Sequence, residues 1–210
     1  MKCSRLAFLS VTLALVSTGA AHAQTSAAPT QFDISLSGYE AFTSASSGHG
    51  TKQTPADSAG GMLEARYLVS SLVGFGMSFS FNPANQTFAP NGTSCEYQCA
   101  NPATNLSAKA SELALEWVPS LKIGRIRPFA IGGLGFFITV PSSSVIGTNS
   151  RVRPTYVFGG GLDFSLTSRF GIRLQYRDNV YKAPDLYTLY PATGAYTSSS
   201  EPMGGFFYRF

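Results

Sequence analysis

Val73-Gly74-Phe75-Gly76-Met77-Ser78-Phe79-Ser80-Phe81-Asn82 decides the fold of this chain. Every second side chain is large and apolar, and those between are Gly, Ser or Asn. A period of two belongs to a β-strand whose two faces meet different surroundings. The pattern returns where Phe170, Ile172, Leu174 and Tyr176 alternate with Gly171, Arg173, Gln175 and Arg177. It returns again where Tyr156, Phe158, Leu162 and Phe164 face away from Val157, Gly159, Gly161 and Asp163, and where Leu113, Leu115 and Trp117 interleave with Glu112, Ala114 and Glu116. The 210 residues are 44% hydrophobic, 13% aromatic and only 12% charged, which excludes a disordered chain. A net charge of +4, scattered along the sequence, excludes a nucleic-acid footprint.

Eight such segments are expected, near 32–43, 58–70, 73–82, 107–118, 126–140, 153–166, 169–182 and 199–210. The connections near 44–57, 83–106, 141–152 and 183–198 are long and rich in Ser, Thr, Asn, Gly and Pro, whereas those near 71–72, 119–125 and 167–168 are short. An even strand number with long loops at one end and tight turns at the other predicts an all-β, eight-stranded, antiparallel up-and-down transmembrane barrel. The alternative is a soluble secreted β-sandwich, whose big apolar residues point inward. The minority face favours the barrel, because Gly, Ala and Ser with isolated charges suit a narrow closed interior. Two strands break parity. Tyr39 and Glu40 exchange faces in the first, and in the fifth Phe129 and Ile131 are odd-numbered while Leu134, Phe136 and Ile138 are even. A bulge at Gly132-Gly133 would absorb the second switch.

Residues 1–23 read as an address. Lys2 and Arg5 precede the apolar run Leu6–Val16, and Ala21-His22-Ala23 offers a small-residue cleavage site. Eleven residues are too few for a membrane helix, which needs roughly 20. A short segment, 24–31, then leads into the barrel domain, 32–210. Export places Cys95 and Cys99 in an oxidising compartment, where so close a pair in a loop is expected to form a local disulfide.

Arg127-Pro128-Phe129-Ala130-Ile131-Gly132-Gly133-Leu134-Gly135, the hairpin from Phe158 to Arg177, and the C-terminal Phe206-Phe207-Tyr208-Arg209-Phe210 together resemble the small bacterial outer-membrane β-barrel superfamily, in its OmpA-transmembrane-domain-like and OmpX-like branch. The resemblance spans residues 32–210 and implies an outer-membrane location with the termini in the periplasm. It also implies that Phe206, Tyr208 and Phe210 form the signal read by the barrel-assembly machinery. The peptidoglycan-binding domain that follows the barrel in OmpA-like proteins is not expected here.

With large apolar residues facing lipid, the opposite face puts Glu64, Arg66, Glu112, Glu116, Asp163, Arg173, Arg177 and Arg209 in the lumen. A network of ion pairs filling an interior only as wide as its side chains is the expected arrangement, with coupling between Glu112 and Arg173 as its test. The other reading is a hydrated mouth with unpaired charges. No enzyme is expected: His49 lies among loop serines with no second geometric cue for catalysis. The glycine clusters lack the continuation of a phosphate loop, and no metal or cofactor is expected. Trp117, Tyr176, Tyr181, Phe206, Tyr208 and Phe210 read as interfacial girdle residues. Tyr187, Tyr190 and Tyr196 either form an adhesive loop surface or pack within the loop. The functional expectation is a structural or surface-interaction protein with a charge-plugged lumen and four external loops. Its partners would be outer-membrane lipid and a surface ligand, not nucleic acid. A narrow porin is the alternative, and a rim-located lipid-modifying enzyme a further one.

Overall fold

The computed structural model describes residues 31–70, 72–91, 103–142, 147–188 and 190–210. Twelve strands follow one another: β1 (Gln31–Thr43), β2 (Ser46–Gly48), β3 (Thr51–Pro55), β4 (Ser58–Leu68), β5 (Gly74–Pro83), β6 (Gln86–Pro90), β7 (Thr104–Leu106), β8 (Ala108–Trp117), β9 (Ile126–Pro141), β10 (Arg151–Ser165), β11 (Phe170–Lys182) and β12 (Tyr196–Arg209). Eight close into an antiparallel barrel in the order β1-β12-β11-β10-β9-β8-β5-β4. These are the eight segments expected from the alternation. The four short strands were not legible in it. They form a second sheet, β2-β3-β6-β7, built from the long connections on either side of β4 and β5.

Register fixes the shape. Leu36 leads through Phe206, Ile172 and Phe164 to Ile126 on one side, and through Leu63, Phe79 and Leu113 to Phe136 on the other. The circuit therefore returns to β9 ten residues further along. A stagger of that size tilts eight strands by roughly 40–45° and leaves an interior that side chains can fill.

Alternation then sorts the faces. Leu36, Leu63, Phe79, Leu115, Phe136 and Leu174 point away from the lumen and are exposed, whereas Asp33, Glu64, Arg66, Arg173 and Arg177 point in and are buried. So large an apolar exterior is untenable in water and suits a hydrocarbon surround. Among the outward carboxylates, Asp178 accepts hydrogen bonds from Ser200 Oγ (2.5 Å) and Tyr176 (3.4 Å), near the outer end of β11.

Neither parity break is a backbone event. β9 stays in continuous register with β8 and β10 through Gly132 and Gly133, so the expected bulge does not exist. Phe129 and Ile131 instead turn into the lumen, and Phe129 fits because Gly161 opposite has no Cβ, which would lie 2.7 Å from its ring. Tyr39 likewise points inward, over Gly60, into a cluster with Ala41, Met62 and Met203, and Glu40 points out.

Candidate functional site in the lumen

Arg173, midway along the lower half of β11, is the centre of the site. Its guanidinium has five N–H donors, and each has a partner. Nε donates to Asp163 Oδ1 (2.7 Å), Nη2 to Asp163 Oδ2 (3.0 Å) and Asp33 Oδ1 (2.9 Å), and Nη1 to Glu64 Oε2 (3.0 Å) and Ser35 Oγ (2.9 Å). Three carboxylates from β1, β4 and β10 thus meet one cation from β11, with Arg173, Asp33 and Glu64 all wholly buried. Glu64 also accepts from Arg66 Nε (2.5 Å), whose Nη2 reaches Gln175 Oε1 (2.6 Å). The Arg66 guanidinium lies 4.0 Å from the centre of the Phe129 ring, with Arg173 5.6 Å from the same ring. A desolvated aromatic face between two guanidiniums supplies cation–π attraction of roughly 2 kcal/mol at best.

Two pleat repeats nearer the long loops, Arg177 makes a second centre. Nη2 donates to Glu112 Oε1 and contacts Asn179 Oδ1 at 3.5 Å, while Nη1 reaches Ser78 Oγ (3.1 Å), Met62 Sδ (2.8 Å) and Glu116 Oε1 (3.3 Å). Ser78 Oγ donates to Glu116 Oε1 (2.7 Å), and Asn179 Nδ2 to Glu201 Oε1 (2.9 Å). Arg177 Nε and the second oxygens of Glu112, Glu116 and Glu201 make no hydrogen bond.

Above this level an aromatic pair enters a lumen still lined by Thr43, Asn82, Ser199 and Glu201. Tyr181 stacks on Phe137 with ring centres 4.3 Å apart. The closed space there, bounded by Phe137, Tyr181, Ser199 and Glu201 among others, is about 20 Å³, room for roughly one water. The β2-β3-β6-β7 sheet sits at this end and packs Phe88 and Leu106 against Leu186 and Tyr190 of the last loop. Gln53 Nε2 ties the sheet to that loop through Pro184 O (3.1 Å).

The eight side chains expected in the lumen, Glu64, Arg66, Glu112, Glu116, Asp163, Arg173, Arg177 and Arg209, are all inward and buried. Seven of them form two groups, not one, and Arg209 joins neither. Glu112 bonds Arg177, so Glu112 with Arg173 is the wrong pair for a coupling test. Sequence reasoning missed Asp33, Arg127 and Glu201, which are buried on the same face. Parity carried the signal for two of them: Asp33 alternates with Phe32 and Ile34, and Glu201 with Pro202. Arg127 was obscured by the inward Phe129 and Ile131.

Tyr181 is no girdle residue, since it lies inside the barrel and is buried, as its odd number on β11 requires. Trp117 and Tyr176 do face outward, and Trp117 donates to Leu72 O (3.0 Å). Phe206, Tyr208 and Phe210 also face outward at the short-turn end, where Phe206 stacks on Phe170 and Tyr208 meets Phe210 edge-on. Of the loop tyrosines, Tyr187 and Tyr190 pack against Phe88, and Tyr196 is exposed. His49 is exposed and contacts Ala192 O through Nδ1 (3.0 Å). Among the described residues no metal-ligating cluster forms. Residues 1–30 and the pair Cys95 and Cys99 lie outside the described residues.

A family model described as the outer membrane protein beta-barrel domain matches residues 11–199. Among solved structures, Neisserial surface protein A aligns with a TM-score of 0.56 at 12% identity, covering 85% of this chain and 97% of its own. OprG of Pseudomonas aeruginosa gives 0.52 at 15%, covering 86% and 95%. Ail, the attachment invasion locus protein of Yersinia pestis, in complex with the heparin analogue sucrose octasulfate, gives 0.51 at 18%, covering 86% and 99%. At such identities the likeness is one of fold. No curated protein matches the sequence.

Proposed function

The chain belongs to the outer membrane protein β-barrel domain family, and on that premise we propose that it is a non-enzymatic component of the bacterial outer membrane, with a closed lumen and a surface-interaction role carried by its long loops. Residues 1–23 are the export signal, and the short turns face the periplasm. Phe206, Tyr208 and Phe210 present the outward aromatic row that the assembly machinery reads.

The observation that carries this reading is the saturated Arg173 centre, where five donors and three carboxylates occupy the cross-section of the barrel. An ion entering there would have to break charge-assisted hydrogen bonds in a dry interior. With transport blocked, what is left to act outwardly is the loop end, where Phe88 and Leu106 of the β2-β3-β6-β7 sheet share an apolar cluster with Leu186 and Tyr190 of the last loop. The ligand of Ail does not transfer at this identity, but the resemblance supports a fold used to present loops.

A second reading, a narrow cation-selective pore, is favoured by the unbonded oxygens of Glu112, Glu116 and Glu201 in the outer half of the lumen. Planar-bilayer recording of the folded protein separates the two. Electrical silence after verified insertion is the expected result. Reproducible discrete openings that disappear in E201Q would establish the pore instead.

A further inference from the structure

The charges in the lumen are sorted by height. Glu112, Glu116 and Glu201 surround Arg177 in the outer half. Asp33, Asp163 and Glu64 pair with Arg173 and Arg66 below it, and Asp33 keeps its Oδ2 without a hydrogen bond. At the periplasmic mouth, among the described residues, two buried cations, Arg127 and Arg209, are left without an ion pair. Arg127 is the cross-strand partner of Asp163, and Arg209 of Asp33, but neither forms an ion pair with that carboxylate, which turns to Arg173. The turns beneath add exposed Lys122, Arg125 and Arg169, and residues 69–73, 119–125 and 166–169 contain no acidic residue. These residues share the short-turn end: Arg209 N donates to Arg169 O (2.6 Å), and Ser165 N to Arg125 O (2.8 Å).

Two of these side chains are held in place with donors to spare. Arg127 Nη2 donates to Gln31 Oε1 (2.5 Å), but its Nη1 has no partner although the residue is only 8% exposed. Arg209, also 8% exposed, lies 5.0 Å from the centre of the Phe207 ring, and its Nε and Nη2 have no partner. Two buried guanidiniums at one mouth repel each other, and unmet charged donors in a dry site are costly. A tetrahedral oxyanion relieves both, because guanidinium forks match phosphate oxygens. The exposed trio would raise its local concentration.

We propose that the periplasmic mouth of the barrel is a phosphate-binding site. Arg127 and Arg209 contact the oxyanion, and Lys122, Arg125 and Arg169 form its approach. The orientation rests on the outer-membrane reading above, whereas the donor geometry does not. The phosphate group belongs either to a phospholipid headgroup of the inner leaflet, as in basic pockets at membrane surfaces, or to a free phosphate, whose oxygens offer a guanidinium the same fork.

The test is a titration of the refolded full-length mature protein in zwitterionic, phosphate-free detergent, followed through the arginine side-chain Nε–Hε NMR signals. The probes are inorganic phosphate and dihexanoyl phosphatidylglycerol below its micelle concentration. Saturable shifts of the Arg209 and Arg127 signals, with Arg151 at the opposite end unmoved, are expected. Saturation by both probes assigns the site to the phosphate group itself, and saturation by the lipid alone assigns it to the headgroup. Binding should weaken at least tenfold in R127Q/R209Q. Should that variant not fold, R125Q/R169Q, altered only on exposed turns, should weaken binding severalfold by removing the approach. Absence of saturation with either probe, or unchanged affinity in a folded R127Q/R209Q, overturns the proposal. A barrel that binds phosphate here yet conducts in a bilayer would refute the closed-lumen reading and leave this one standing.

Discussion

Arg173 and Arg177 are two pleat repeats apart on the same face of the same strand, with Gln175 between them, yet their surroundings differ in kind. Arg173 has all five donors engaged and three carboxylates in contact. Arg177 leaves Nε unbonded, accepts a methionine sulfur as one partner, and sits among glutamates that each keep one oxygen without a hydrogen bond. The same residue type therefore gives a locked half and a looser half. The difference comes from what the neighbouring strands present at each level: two short aspartates and a Glu64 that Arg66 also holds around Arg173, and only longer glutamates with more rotamers around Arg177.

The largest effect should follow removal of the locked centre. R173M leaves Asp33 and Asp163 without their cation and Glu64 with Arg66 alone, and a loss of about 3–5 kcal/mol is expected in urea unfolding from detergent or vesicles. R177M should cost less, about 2–3 kcal/mol, because part of that network is already unsatisfied. If the two variants lose stability equally, the contrast between the halves is wrong. A double-mutant cycle on D163N and R173Q should give a coupling of about 1–3 kcal/mol, whereas E112Q with R173Q should be additive within about 0.5 kcal/mol. Coupling of the second pair would merge the two groups into one network. The smallest global effect belongs to Y190A in the cap. It should speed proteolysis within residues 183–195 with little shift in barrel unfolding, because the Tyr190 ring meets Phe88 and Tyr187 in the cap.

Much of this was legible in the amino acids. Period-two rows gave the eight barrel strands, because a closed sheet between lipid and a narrow interior demands opposite chemistry on its two faces. The same rows placed Glu64, Arg66, Glu112, Glu116, Asp163, Arg173, Arg177 and Arg209 inside. What failed was the assumption that a large apolar side chain must face lipid. Phe129 and Tyr39 fill space that Gly161 and Gly60 leave open, and Phe129 lies against the Arg66 guanidinium. Such pairs depend on residues distant in sequence, so local alternation cannot announce them. Nor could it show the cap, where β2, β3, β6 and β7 run three to five residues each. Which arginine meets which carboxylate was also hidden, because it is set by the stagger of the strands.

The most direct measurement is hydrogen exchange of the arginine Nε–H groups by NMR on the folded barrel. The Arg173 Nε–H donates to Asp163, and that of Arg177 has no acceptor, although both side chains are equally buried. The expected result is an Arg173 signal that outlasts that of Arg177 by at least tenfold at the same pH. Equal lifetimes, or a longer-lived Arg177, would contradict a lumen locked at Arg173.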